Sequence, residues 1–198
     1  MDQALQQSLL GMVNEARSLR SQLAADGTLF QGYNPLMRDM HNKHAKALAD
    51  IVDQHGWPGT SLVGEDGATA AWLIAQHAIG LPRFVRACLG MVEEAVASNE
   101  APRWQLALLT DRVRWLEGRP QVYGTQFDWD AAGRLNPLPI EDEAGVDARR
   151  AQASLKSLKD GIAQRRKEAV DAGEVPPADP AARKAEFEAW AKAIGWRS

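Results

Sequence analysis

The sequence predicts a mainly α protein: a single-domain helical bundle with one short β-hairpin packed on it and a C-terminal helical tail. Three observations carry that expectation. Apolar residues recur at helical spacing through most of the chain as far as Leu116. One stretch, 121–140, loses that period and takes on strand composition. A proline-rich segment, "EVPPADP", then sets off a last short helical pattern.

Residues 3–25 place Leu9, Met12, Val13, Ala16, Leu19 and Leu23 on one face, which makes the first helix amphipathic, and Gly27 is its stop. In "GYNPLMRDM", Asn34 is the N-cap of the second helix, and Pro35 stands in the first turn, where its missing N–H is harmless. That helix runs to about His55 and breaks at "GWPG". "TSLVGEDGATAAWLIAQHAIG" reads as a glycine-rich loop followed by a helix over Ala68–Ala78. Being apolar on nearly every face, that helix is expected to be central. Residues 82–98 and 102–117 are two further helical stretches, the second ending at Gly118. The second carries one apolar stripe of Leu106, Leu109, Val113 and Leu116, and an opposite one of Trp104, Leu108 and Trp115.

Val122, Tyr123, Phe127 and Trp129 in "QVYGTQFDWDAAGRLNPLPI" favour strand, and "DAAG" supplies a turn. Two prolines make the second arm an edge, and a two-stranded hairpin needs cover to be stable. Helix resumes near Val146 and continues to about Ala172. The expected organisation is therefore a helical domain over 1–173 with its hairpin at about 121–140, then a linker and short helix over 174–198. Phe187, Trp190 and Ile194 share a face of that last helix, and Trp190 and Trp196 argue that the segment docks.

Composition narrows the function classes. Hydrophobic residues make up 45% and charged residues 25%, as in an ordinary globular protein, and 198 residues suffice to bury a core. A formal charge of −3 gives no overall drive toward nucleic acid or anionic membrane, so neither is expected as a partner. The chain opens on "MDQALQQSLL", which lacks a signal-peptide pattern, and no run approaches the ~20 apolar residues of a membrane span. A cytoplasmic location is expected. The single cysteine, Cys88, excludes an intramolecular disulfide and sits among apolar residues as a buried thiol.

Polar residues in apolar company are the functional signal. "AAWLIAQHAIG" holds Gln76 and His77 at the centre of an apolar helix, where each needs a partner or a wet cavity. Winding residues 35–55 at 100° each puts His41, His44 and His55 on the stripe of Met37, Met40, Leu48, Ile51 and Val52. All four histidines are thus candidates for burial or for a pocket. "HNKH" lacks the glutamate and the i, i+4 spacing of the zinc protease motif, so no metal is expected; His41 and His44 would be the ligands if one bound. Asp111 winds onto the stripe of Trp104, Leu108 and Trp115, where a carboxylate could orient a histidine. Arg112 and Arg149 could hold an anionic group, and Tyr123 and Gln126 could supply hydrogen bonds. Glu141 and Asp142 precede Arg149 and Arg150, as helix caps or as a charged cluster at a pocket mouth.

The ordered strings "GWPG", "LVG", "AAWLIAQHA", "TDR", "GRPQVYGTQFDWD", "PLPIED" and "VDARR" resemble a bacterial family of uncharacterised proteins over about residues 35–155. The resemblance implies a mainly helical domain and brings no activity. It points to Trp57, His77, Asp111, Arg112, Tyr123, Gln126, Glu141, Asp142 and Arg149 as motif positions.

Two functions compete at this level. One is a small-molecule enzyme, a hydrolase or group-transfer enzyme acting on a polar substrate. In it His77 is general acid or base, Asp111 orients it, and Gln76, Arg112, Tyr123, Gln126, Glu141, Asp142 and Arg149 bind substrate. The other is a noncatalytic ligand-binding or protein-interaction module whose buried polar network is structural. No cofactor is indicated by the sequence.

Overall fold

A computed structural model describes residues 1–29 and 33–198, in a mainly α fold with one small hairpin. The chain divides into two compact units, Met1–Pro102 and Arg103–Ser198. No proline cluster, charge run or change of hydrophobic period marks that division in the sequence.

Among the described residues the first unit comprises α1 (Gln3–Ala25), α2 (Pro35–His55), α3 (Thr60–His77) and α4 (Pro82–Ala97). Side chains hold the starts of the first two. The Leu5 N–H donates to Asp2 Oδ1 at 3.0 Å, and the Leu36 N–H donates to Asn34 Oδ1 at 2.9 Å, with Pro35 opening α2 as its sequence predicts. Leu9, Ala45, Leu48, Val63, Ala71, Val85 and Val92 are fully buried and form the core. The helix α3 packs against α1, α2 and α4, which explains why its sequence is apolar on nearly every face.

That helix begins earlier than expected. Residues 60–67, read as a glycine-rich loop, are helical on both sides of a kink at Gly64, whose φ is 71°. Glycine tolerates that backbone, and its missing side chain admits α1: a Cβ at Gly64 would stand 3.0 Å from Gln6 Nε2. The N-cap of α3 is Gly59, which has no side chain to offer. Glu100 supplies the acceptor instead, taking the Ser61 N–H at 2.8 Å and the Thr60 hydroxyl at 3.3 Å. The Ser61 amide, first among its contacts, holds the Glu100 carboxyl below the usual glutamate range. Composition had marked this segment as loop because its cap comes from 40 residues downstream.

The second unit contains α5 (Arg103–Leu116), β1 (Phe127–Trp129), β2 (Leu135–Pro137), α6 (Val146–Gln152), α7 (Leu158–Asp171) and α8 (Pro180–Ala193). The strands are antiparallel, with Phe127 opposite Pro137 and Trp129 opposite Leu135. Asp130 shapes the turn, its Oδ1 accepting the N–H groups of Ala132 at 2.8 Å and Arg134 at 2.9 Å. Cover comes from α7: Arg166 donates to the Leu135 carbonyl at 2.9 Å and to Asn136 Oδ1 at 2.6 Å. Val122 and Tyr123, expected in the first strand, lie in irregular chain before it. Their N–H groups are held by a side chain rather than a ladder, as described below.

The expected single helix from Val146 to Ala172 is two helices. Ser154 adopts a left-handed backbone with φ of 57°, and Ser157 then caps α7 by accepting the Asp160 N–H at 3.1 Å. The last helix docks within its own unit. Phe187 stacks on Trp115 with ring centroids 4.8 Å apart, and Arg197 donates to the carbonyls of Trp115 and Leu116 at the end of α5. Among the described residues, no helix is long and apolar enough to cross a membrane.

Candidate functional site

Three helical stripes of the first unit meet around a cleft of about 90 Å³. From α1 come Val13, Ala16, Arg17 and Arg20, at helical spacing, with Met12 beside them. From α2 come Met37, His41 and His44, again on one face, and from α3 come Leu73, Ile74 and His77. Three of the four histidines therefore converge. His55 does not: it is exposed in the final turn of α2, where residues 53–56 all run past the packed face.

The histidines are fixed by different partners. His44 is 3% exposed, and its Nε2 donates to Glu15 Oε2 at 3.0 Å. Glu15 also accepts from Lys43 at 3.2 Å. His44 first and Lys43 second hold the Glu15 carboxyl below the usual glutamate range. His41 Nδ1 shares a hydrogen bond of 2.8 Å with the Tyr33 hydroxyl, the donor depending on the imidazole tautomer. The His41 and His77 rings stack at 4.7 Å between centroids and 18° between planes. The sequence expected a carboxylate to orient a histidine; here Glu15 meets His44.

Gln76 is buried but is not among the residues lining the cleft. Successive helical residues point about 100° apart, so Gln76 is turned away from the face His77 presents. Neither atom of its amide has a hydrogen-bond partner among the described residues. The lone thiol, Cys88, is fully buried, and burial pushes its pKa up to about 12. It has no nucleophilic character at neutral pH.

The other expected site residues lie in the second unit, where their polar groups hold the chain between Pro120 and Gln126. Asp111 is fully buried on α5, and its carboxylate accepts the N–H groups of Val122 at 2.8 Å, Tyr123 at 3.1 Å and Thr125 at 2.9 Å, plus the Thr125 hydroxyl at 2.9 Å. Arg149 donates to the Val122 carbonyl at 2.9 Å and to Asp142 Oδ2 at 2.7 Å. That guanidinium, first among its contacts, holds the Asp142 carboxyl below the usual aspartate range. Arg150, 5% exposed, donates to the carbonyls of Tyr123 and Lys156. Burial lowers its pKa, while the charges of Asp147 and Asp111 oppose that shift. Gln121 bonds both ways with the Gln126 backbone. Glu141 pairs with Arg114, and Arg112 is half-buried on α5.

Residue patterns had not singled out Arg17, Arg20, Glu15 or Tyr33. Arg17 and Arg20 follow Val13 at i+4 and i+7, a spacing that puts them on the apolar stripe of α1. That was a usable signal. Glu15 and Tyr33 show themselves only through contacts across the fold. Among the described residues, no group of three His, Cys, Asp or Glu side chains could hold a metal ion.

A protein-family model described as a family of unknown function (DUF6624) matches residues 3–170. No curated protein and no solved structure matches the chain.

Proposed function

The chain belongs to the family of unknown function DUF6624, whose description carries no activity, and we propose from the cleft's own chemistry that it is a small-molecule enzyme. The reaction class is hydrolysis or group transfer on a polar substrate, with His77 as general acid or base. One observation carries this reading: His41, His44 and His77 converge on one cleft. Imidazole is the side chain whose ordinary titration spans neutral pH, so it can give or take a proton there. The His41 stack and the His44–Glu15 pair restrict the motion of the cleft's imidazoles, which favours a fixed proton-transfer geometry. Asp111 has no part in this mechanism, because its oxygens accept from the 122–125 backbone.

A noncatalytic module is the second reading, and the second unit favours it. Asp111, Gln121, Arg149 and Arg150 all act on main-chain groups, which is a structural network. One experiment separates the two. Chromogenic carboxyl, phosphoryl and glycosyl esters are screened for turnover with the wild-type protein and with His77→Gln. Under the enzyme reading at least one is turned over, and the variant loses roughly 10²–10⁴-fold in rate while melting within a few degrees of wild type. Turnover that survives His77→Gln undiminished would sink the assignment.

A further inference from the structure

We infer that His44 is a second proton-transfer group of the cleft, the general acid that protonates the leaving group, and that Glu15 is its positioning residue. This inference rests on the reading of the cleft as a catalytic site, in which His77 then acts as the base.

His44 has one ring nitrogen committed and one to offer. Its Nε2 donates to Glu15 Oε2 at 3.0 Å, while Nδ1 makes no hydrogen bond among the described residues. The His44 ring lines the cleft and Glu15 does not, so the bonded edge is turned out of the cleft and Nδ1 is the nitrogen left for a ligand. The side chain is only 4% exposed, so packing as well as that bond fixes its direction. Its partner is anchored too, because Lys43 donates to Glu15 Oε1 at 3.2 Å.

A carboxylate on one nitrogen suits the acid role. Its charge offsets that of the imidazolium, which carries a proton on each nitrogen, and it keeps the Nε2–H bond after Nδ1 has given its proton away. Glu15 is ionised for that purpose: His44 first and Lys43 second hold its carboxyl below the usual glutamate range. His41 is placed differently, for its Nδ1 meets a phenol, the Tyr33 hydroxyl at 2.8 Å, and its ring stacks on His77.

The step balances with water as the second reactant. His77 takes a proton from water, whose oxygen forms the new bond to the electrophilic carbon or phosphorus. The bond to the leaving oxygen breaks with its electron pair on that oxygen, and the Nδ1 proton of His44 joins it. The hydrolysed group and an alcohol depart. One proton has passed from His44 to His77, and exchange with solvent returns both rings to their starting states.

Leaving-group dependence tests the assignment. The same acetyl, phosphoryl or glucosyl group is offered to the full-length protein as its 4-nitrophenyl and its ethyl derivative. 4-Nitrophenolate departs without a proton whereas ethoxide needs one, so only the ethyl derivative calls on a general acid. His44→Gln should lower the ethyl rate by roughly 10²–10⁴-fold and the 4-nitrophenyl rate by less than about threefold, while His77→Gln lowers both. Glu15→Ala should lower the ethyl rate alone, by about tenfold. Added formate should restore part of that loss, because the Glu15 side chain is 46% exposed and its place is open to a small carboxylate. The ratio of the two rates is taken within one variant, so loss of folded protein cancels; if His44→Gln does not fold, the Glu15→Ala ratio and its rescue decide. Equal losses on both derivatives, no loss on either, or wild-type turnover of 4-nitrophenyl derivatives alone would overturn the inference. His77-dependent turnover in any of those cases leaves the catalytic reading of the cleft standing. No turnover of any derivative by the wild type removes that reading and the acid assignment with it.

Discussion

At the scale of single residues, the cleft is governed by which polar groups have partners. Glu15 is tied to His44 and Lys43, and those bonds hold its carboxyl below its ordinary value. A carboxyl depressed in the folded state contributes stability above its unfolded pKa and loses it as the pH falls through the folded one. Urea midpoints for Glu15→Gln should therefore lie below wild type at neutral pH and converge with it in acid. Parallel curves at every pH would show that the Glu15 charge is irrelevant. Gln76 presents the opposite case, a buried amide with no hydrogen-bond partner among the described residues. An apolar side chain of similar length removes the cost of burying that amide, so Gln76→Met should raise stability by about 1 kcal/mol in a urea melt. A loss of stability there would mean the amide has a partner. His77 and Gln76 are sequence neighbours with different surroundings, and the 100° helical step separates them. The sequence showed that both were out of place in an apolar helix. It places both at a pocket with His77 ahead of Gln76, and the cleft takes His77 without Gln76.

At the scale of elements, the decisive side chain is Asp111. Its carboxylate stands in for a strand partner by accepting the N–H groups of residues 122, 123 and 125. That is why "QVYGT" has strand composition without strand structure: β-branched and aromatic residues favour an extended backbone, and a buried carboxylate decides what that backbone bonds to. Removing it leaves several part-buried N–H groups unpaired, each costing on the order of 1 kcal/mol or more. Asp111→Ala should thus lower stability by at least about 3 kcal/mol, measured by denaturant unfolding, with faster amide exchange at Val122, Tyr123 and Thr125. A change confined to activity, with stability and exchange intact, would restore Asp111 as a site residue. Two other elements went differently from their sequence pattern for the same reason. The α3 start has no cap of its own and takes one from Glu100, while the expected Val146–Ala172 helix breaks where Ser154 turns left-handed. Caps contributed by distant residues leave no local pattern.

For the whole molecule, the C-terminal segment is the clearest expectation to sharpen. The prolines of "EVPPADP" announced a boundary, yet Trp196 is 3% exposed and Ala191 fully buried in the second unit. Removing a buried tryptophan side chain costs about 3–5 kcal/mol, so Trp196→Ala should depress the thermal midpoint by several degrees. An unchanged melt would show α8 to be an appendage. By itself the sequence determined the mainly α class, the positions of most helices, the hairpin turn at Asp130 and the presence of histidines on buried faces. Those follow from short-range physics: helical and strand periods, proline and asparagine at helix starts, and the apolar stripe that each helix must bury. Tertiary structure alone decided which stripes face one another. Only that choice brought Arg17 and Arg20 of α1 to the same cleft as His41 and His44 of α2 and His77 of α3, and gave the carboxylate role beside a histidine to Glu15. The same choice committed Asp111 to the backbone. Side-chain direction is fixed locally, but a partner is fixed by packing, and packing joins residues that the sequence keeps far apart.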